Sequence, residues 1–410
     1  VLSLDDAWEH VRSHLPHLDA VPLPLEHAVG LVLAEAVTAV APVPPFANSA
    51  VDGYAVRRAD VDGAPGGGAG LVLEVVAESA AGHVVNVPVG PGQAVRIMTG
   101  APVPEGADAI VMVEDTERLE DGPDRVRVTR SGAAGDHVRP VGDDLRPGDV
   151  VAAAGTVLTP AHVGLLSTVG CTAVTVVRRP LVGVVSTGDE LVPARAELGP
   201  GQIHDSNRPQ LLAAVAAAGF VPVDLGHVPD DAAAIESVLF EGAATCDALL
   251  TSGGVSMGDH DLVKVVLDEV GDMRWMQVAI KPAKPFAFGL LPGTAGPVPV
   301  FGLPGNPVSS LVSFELFARP GVRTMAGHPR PHRRRVAATA GADLLRRPDG
   351  KTHFVRVTVE DDDSGRLVVT PTSAQGSHQM TGLAAADGLA VLPDGDGVTA
   401  GGPVVVLLLD

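Results

Sequence analysis

The chain is poor in cysteine, in aromatic residues and in cations. Of its 410 residues only Cys171 and Cys246 are cysteine, far apart and in no CxxC pair. That excludes a disulfide scaffold and a cysteine-based zinc site. Aromatics amount to 3%, with two Trp and one Tyr, so the side chains that most often anchor a protein interface are scarce. Lys and Arg number 29 against 49 Asp and Glu, a formal charge of −20. A nucleic-acid binder neutralises phosphates with cations, so that class is excluded. A small anion held by a few local lysines is not. The longest apolar stretch, residues 211–223, contains Gly219 and Pro222 and falls short of a bilayer span, so no membrane partner is expected. The opening VLSLDDAWEH has neither the basic nor the apolar segment of a secretory leader, and the expectation is a cytoplasmic protein.

What is present is a folded chain, 46% hydrophobic and 19% charged, long enough for three or four units. Ser3 can cap a short amphipathic helix over residues 3–15. From residue 21 to about 178, short Val-rich runs such as 71–78 and 83–89 alternate with Gly, Pro and Asp turns, which signals small β structures. At Pro180 the pattern changes. LVGVVST (181–187), VPVDLGHV (221–228), DALLTS (247–252), WMQVAI (275–280) and PVPVFGL (297–303) read as strands. Helices are expected after Asn207 and Asp231, over about 259–270 and over about 309–317. Strand–helix alternation with short connections calls for a doubly wound, mainly parallel α/β sheet. After the basic connector HPRPHRRRV (328–336), hairpin signals at 346–351, 361–366 and 392–397 predict a small β barrel or sandwich.

Ligands of such sheets bind beyond the carboxyl ends of the strands, and five unusual loops fall there: STGDEL (186–191), GQIHDSN (201–207), TSGGVSMGDHD (251–261), KPAKP (281–285) and GLPGNPVSS (302–310). Gly253 and Gly254 serve either a tight turn or the approach of backbone N–H groups to an oxyanion. Lys281 and Lys284 sit in a proline-stiffened loop, which favours an anion clamp over two solvated charges. Asp189, Glu190, Asp205, Asp259 and Asp261 are either caps or ligands, and for Asp259 the two are equally open. Gathered on one rim they would repel each other unless a cation intervened, and hard oxygen donors without Cys point to Mg²⁺. Two further stretches stand apart in the β-rich half: FANSAVDGYA (46–55), with Asp52, and RIMTGAPVPEGADAIV (96–111), with Arg96 and Thr99. On spacing alone, a turn and a binding role are equally open for the second.

Together these stretches resemble the molybdopterin molybdenumtransferase family (MoeA and the gephyrin E domain). FANSAVDGYA is similar to the family's FDNSAMDGYA, and RIMTGAPVPEGADAIV is almost unaltered. STGDEL, GQIHDSN, SGGVSMGDHD, KPAKP and GLPGNPVS follow in the family order. Ala47 stands for an acid, Val51 for Met, His204 for Tyr and Ala283 for Gly, and Asp143 stands where Glu is usual.

The resemblance implies four units: an N-terminal helix and β-rich linking unit (1–45 and 141–178), an inserted β domain (46–140), a molybdopterin-binding α/β domain (179–327) and a C-terminal β domain (328–410). It implies a homodimer whose active site is shared between subunits, so that Asp52, Thr99 and Asp144 of one chain meet Glu190, Asp261, Lys281 and Lys284 of the other as catalytic residues. The implied reaction inserts molybdate into adenylyl-molybdopterin with Mg²⁺-dependent cleavage of the phosphoanhydride, releasing AMP and molybdenum cofactor. Asp189, Glu190, Asp205, Asp259 and Asp261 would handle Mg²⁺. Substrate would meet Ser186, Thr187, Gly188, Asp205, Ser206, Asn207, Ser252, Gly253, Gly254, Ser256, Pro304, Gly305, Asn306, Pro307 and Ser309, with Arg356 and Ser377 at an oxyanion site. A molybdopterin adenylyltransferase and molybdoenzyme acceptors are the implied partners. The competing readings are an adenylyltransferase itself and a gephyrin-like scaffold without catalysis.

Overall fold

The computed structural model describes residues 1–62, 70–83, 85–119, 124–130, 134–255 and 262–409. Helix α1 (Leu4–Arg12) is capped by Ser3, whose Oγ accepts from the Asp6 N–H at 3.0 Å, and it buries Ala7 and Val11. It ends three residues earlier than the sequence pattern suggests. Strand β1 (Ala20–Pro24) later pairs with β8 (Ala173–Val177), and α2 (Pro160–Thr168) packs beneath them, so the linking unit is assembled from segments on both sides of an insert.

The insert is a six-stranded mixed sheet of β2 (Gly53–Val56), β3 (Leu71–Ser79), β4 (Gln93–Ile97), β5 (Ala109–Met112), β6 (Thr116–Leu119) and β7 (Arg125–Val128), in the order β5-β2-β4-β3-β7-β6. The run 83–89, expected as a strand, is irregular where described; the strand begins at Gln93, beyond its proline and glycines. Among the described residues, the insert's buried clusters draw only on positions between Val51 and Val138, so it shares no core there with the other units.

The α/β unit contains β9 (Leu181–Thr187), α3 (Asn207–Ala217), β10 (Val221–Val228), α4 (Ala232–Thr245), β11 (Ala248–Ser252), α5 (Leu262–Val270), β12 (Asp272–Gln277), the two-residue β13 (Ile280–Lys281), β14 (Pro285–Pro292), β15 (Pro297–Leu303), α6 (Pro307–Ser313) and α7 (Arg319–Met325). Its sheet order is β10-β9-β11-β15-β14-β12. All its strands run parallel except β14, which is antiparallel to both neighbours. The sequence reading passed over β14 and placed a strand at 275–280. The chain instead leaves the sheet after Gln277, bends through the lysine loop, and returns as β14 before β15 regains the rim. Phe286 and Phe288 of β14 are fully buried, the first stacked on Phe317 at 4.2 Å between centroids and the second edge-on to Phe301 at 5.2 Å. Such offset and edge contacts are the favoured aromatic geometries and fix the hairpin on the core.

At the C-terminus, β16 (Arg335–Ala340), β17 (Thr352–Asp361), β18 (Leu367–Pro371), β19 (Gly388–Leu392) and β20 (Pro403–Leu408) close into a five-stranded barrel, with α8 (Met380–Ala384) before β19. Of the three hairpin signals, 361–366 joins β17 to β18. The signal at 346–351 lies between Leu344–Leu345, which pairs with Gly397–Val398, and β17. The barrel does not stand apart. Phe354, Leu383, Leu389 and Leu407 belong to the same buried cluster as α1 and the α/β helices.

Candidate functional site

The carboxyl ends of β9, β10, β11, β12 and β15 form one rim, and a cleft lies at its β12 end, against the barrel. The lysine loop is closed on itself by the Val278 N–H donating to the Lys284 carbonyl at 2.8 Å. It is clamped on one side by Leu2, which exchanges hydrogen bonds with Gln277 and Ala279, and on the other by β17, where Thr352 N–H donates to the Ala279 carbonyl. Ala283 within it holds φ 75°, a left-handed conformation that costs a non-glycine residue about 1–2 kcal/mol. Lys281 and Lys284 are both exposed and form no ion pair among the described residues. They line a cleft of about 740 Å³ with Ser309 at the start of α6 and Ser377 from the barrel side.

The barrel also contributes Asp343, Lys351 and His353 to this wall, which the sequence reading missed. No local signal marks them: the structure pairs His353 with Lys281 because β17 continues the edge of the lysine loop. The Asp349 carboxyl accepts from Lys351 and His353, at 3.2 Å each, and is held down at about 2 although burial opposes it. His353 is pushed down chiefly by burial, with Arg346 and Lys281 adding to it against the opposing pull of Asp349. Arg356 is fully buried behind the wall. Its guanidinium donates to the carbonyls of Ala374 (2.8 and 3.2 Å) and Gly376 (3.3 Å), so it carries the 374–377 loop from beneath.

The carboxylates stand on the far side of the rim. Strands β9 and β12 are four positions apart, roughly 19 Å at the usual strand spacing, and Glu190 is not in the wall of the lysine cleft. Glu190 is exposed and has no side-chain partner among the described residues. Asp189 is engaged: its Oδ1 accepts from the Asp230 N–H at 3.0 Å, and Asp230 Oδ2 takes the Asp189 N–H at 3.4 Å. Asp230 was not singled out in the sequence, although it follows β10 at the same rim. Asp205 is buried with both oxygens taken, by Ser186 Oγ (2.6 Å), Arg208 Nε (3.2 Å) and the Arg208 N–H (3.1 Å). Arg208 reaches on to Asp224, which stays low because Arg208 and the Gly226 N–H outweigh its burial. Ser256, Asp259 and Asp261 lie outside the described residues.

Between these two sides the rim is lined by small polar groups. Ser206, rather than Asn207, occupies the cap of α3, and Asn207 Nδ2 donates to the Gly305 carbonyl at 2.6 Å. That bond ties the 304–307 turn, with Pro304, Asn306 and Pro307, to the next layer. Asn207 Oδ1, Ser252 Oγ and Ser310 Oγ are buried without partners among the described residues, the kind of group that calls for a polar ligand. Gly253 donates its N–H to the Leu303 carbonyl at 3.2 Å, and Gly188 donates to Val228 at 3.3 Å beneath Thr187. Gly254 has φ 74°, and a Cβ there would overlap Val263 of α5, so its glycine is needed for packing.

In the insert, Gly53 pairs with Ile97 and Val111's carbonyl presses against it, leaving no room for a side chain. That register brings Asp52 beside Thr99. Asp52 Oδ1 accepts from the Thr99 N–H (2.7 Å) and Oγ1 (2.8 Å), and these two bonds, with Arg96 assisting, hold its carboxyl below the usual range. Asp144 has an exposed carboxylate, while its N–H donates to the Val43 carbonyl at 2.9 Å. The structure thus groups Asp52 with Thr99, and Lys281 and Lys284 with Ser309 and Ser377, in separate units of one chain.

A parallel rim of small polar residues, a lysine-walled cleft, a closed barrel and a β insert with its own core define a multidomain α/β protein with a cleft suited to an anionic ligand. Residues 2–170 match the MoeA N-terminal region (domain I and II), 183–324 the probable molybdopterin binding domain and 338–409 the MoeA C-terminal region (domain IV). Molybdopterin molybdenumtransferase 2 of Mycobacterium tuberculosis is 40% identical over 380 residues, 91% of each chain. The molybdopterin molybdenumtransferase of Haemophilus influenzae is 35% identical over 412 residues, covering 99% of this chain and 98% of its own. A crystal structure of the molybdopterin biosynthesis MoeA protein of Pyrococcus horikoshii OT3 superposes over the full length of both chains with a TM-score of 0.83 at 29% identity. The chain belongs to the molybdopterin molybdenumtransferase (MoeA) family.

Proposed function

We propose that this protein is a molybdopterin molybdenumtransferase that inserts molybdate into adenylyl-molybdopterin and releases AMP and molybdenum cofactor. The observation that carries this is the lysine cleft. Two ammonium groups without an ion-pair partner among the described residues, on a loop clamped from two sides, face Ser309 and Ser377 across about 740 Å³. Fixed cations of this kind stabilise an oxyanion without reorganising when charge shifts. The Asn207, Ser252 and Ser310 groups, without partners among the described residues, lie between the lysines and Glu190 and suit the polar length of a nucleotide-bearing substrate.

Mg²⁺ binds through one or two carboxylates and takes its other oxygens from phosphate and water. Glu190 fits as such a ligand, whereas Asp189 and Asp205 are already bonded within the protein, and the described residues hold no group of three metal-ligating side chains. Bound there, the ion would neutralise phosphoanhydride charge. Lys281 and Lys284 orient the molybdate, Ser309 and Ser377 donate to its oxygens, and Asp52, kept ionised by Thr99, enters from the insert of a second subunit. Support for that shared site is the insert's independent core. In this reading the units are 1–45 with 141–178, 46–140, 179–327 and 328–410, in a cytoplasmic homodimer.

Incubation with adenylyl-molybdopterin, molybdate and Mg²⁺ tests the reaction. AMP release that requires molybdate is expected; ATP-dependent adenylylation of molybdopterin without molybdate would mean an adenylyltransferase, and neither activity would leave a scaffold. Mixing inactive Asp52→Asn and Lys284→Ala subunits tests the sharing, because a mixed dimer then regains one intact site and a homodimer of either variant has none.

A further inference from the structure

At the opposite, amino-terminal end of the sheet, a cavity of about 260 Å³ lies where the linking unit, the α/β unit and the basic connector meet. Val32 and Val157 form one wall, Phe220 ahead of β10 another, and Arg323 of α7 and His328 the polar end. Arg323 is half-buried. Its Nε is sealed from solvent without an acceptor among the described residues, and its Nη2 lies 3.2 Å from His328 Nδ1.

No carboxylate among the described residues pairs with Arg323. Glu315 is held by Arg333 at 2.8 and 3.1 Å and lies 3.8 Å from Arg319, so this acid is already shared by two guanidinium groups. Arg178, also in the wall, is taken by Asp247 through two 2.6 Å bonds. Arg179 at the mouth is exposed and makes no ion pair among the described residues. The C-terminal end of α3 faces the cavity too and contributes about half a negative charge. Its carbonyls at Ala214, Val215 and Ala216 already accept N–H groups of residues 218–220. Burial, then Arg323 and Arg319, push the His328 imidazole down to about 4, so near neutral pH it accepts from Arg323 and adds no charge. A half-buried guanidinium without a counter-charge is unfavourable, and an apolar cavity in front of one suits an anion with an apolar body.

We propose that this cavity binds a small monocarboxylate, its carboxylate paired to Arg323 and its apolar body against Val32, Val157 and Phe220. Because the walls come from three segments, the bound molecule ties the linking unit to the α/β unit at a distance from the lysine cleft. Calorimetric titration with benzoate and with its neutral isostere benzamide tests this. Saturable benzoate binding is expected, with benzamide at least about tenfold weaker, the usual worth of a charge-assisted pair. Arg323→Gln should abolish the difference between the two. Arg179→Gln, at an exposed position that leaves folding intact, should weaken benzoate several-fold. Equal binding of the two probes, absence of saturable benzoate binding, or unchanged benzoate affinity in folded Arg323→Gln would overturn the proposal; should that variant not fold, the isostere pair and Arg179→Gln decide.

Discussion

Asp205→Asn separates a structural from a ligand role for a rim carboxylate. The substitution keeps the volume and removes one charge. Its side chain is 3% exposed, so solvent screens little of the loss. With the new Nδ2 in place of Oδ2, the Ser186 hydroxyl can rotate to accept from it, but Arg208 Nε, which donates to that same position, loses its acceptor, and the Arg208 N–H bond to the remaining oxygen loses its charge assistance. The lost bond is worth about 2 kcal/mol and the weakened one drops from about 2 to about 1 kcal/mol, while Arg208 keeps its two bonds to Asp224. The expected cost is about 2–3 kcal/mol, and at about 2–4 °C per kcal/mol for a unit of this size the melting transition falls by roughly 4–12 °C. Scanning calorimetry of wild type and variant, with AMP release measured well below both transitions, reads the two roles separately. A melting temperature within about 1 °C of wild type together with abolished AMP release would refute the structural argument and return Asp205 to the ligands.

Gly254→Ala forces a left-handed alanine whose Cβ overlaps Val263; a loss of about 2–4 kcal/mol is expected in urea unfolding, and a loss below about 0.5 kcal/mol would show that α5 yields freely. Thr99→Val removes one of the two bonds to Asp52 at an exposed position. Its melting temperature should stay within about 1–2 °C of wild type while AMP release falls and the pH below which activity is lost rises; an unchanged acid limb counts against the Asp52 role. His328 has its folded-state pKa depressed from 6.5 to about 4. The unfolded chain therefore takes up this proton first, and the associated stability, complete above pH 6.5, is lost as pH falls towards 4, by about 3 kcal/mol. His328→Gln should flatten the melting temperature between pH 7 and 4.5, and an identical acid slope in the variant would contradict the burial argument.

Which parts of this were legible in the sequence follows from range. Strands buried on both faces, such as 181–187 and 297–303, are continuous β-branched or apolar runs, and both lie where the pattern puts them. Strand β14 was not, because its flanking prolines at 285 and 292 read as loop while Phe286 and Phe288 are buried by partners far along the chain. The rim loops were legible through the rule that ligands gather at strand ends, but not the division of labour among their acids. Nothing local to Asp205 announces that Ser186 and Arg208 consume both its oxygens, nor does QGSH reveal that Arg356 bonds the carbonyls beneath it. Lys351 and His353 escaped notice because the closure of a barrel, not spacing, carries them to the lysine cleft.

The loop bearing Lys281 and Lys284 is fastened by Leu2 from one flank and by Thr352 from the other. Segments about 350 positions apart along the backbone thus act as the two jaws of a vice. Grafting KPAKP alone into another α/β protein would transplant the ammonium groups without their grip, and evolution cannot discard the barrel without slackening the anion clamp.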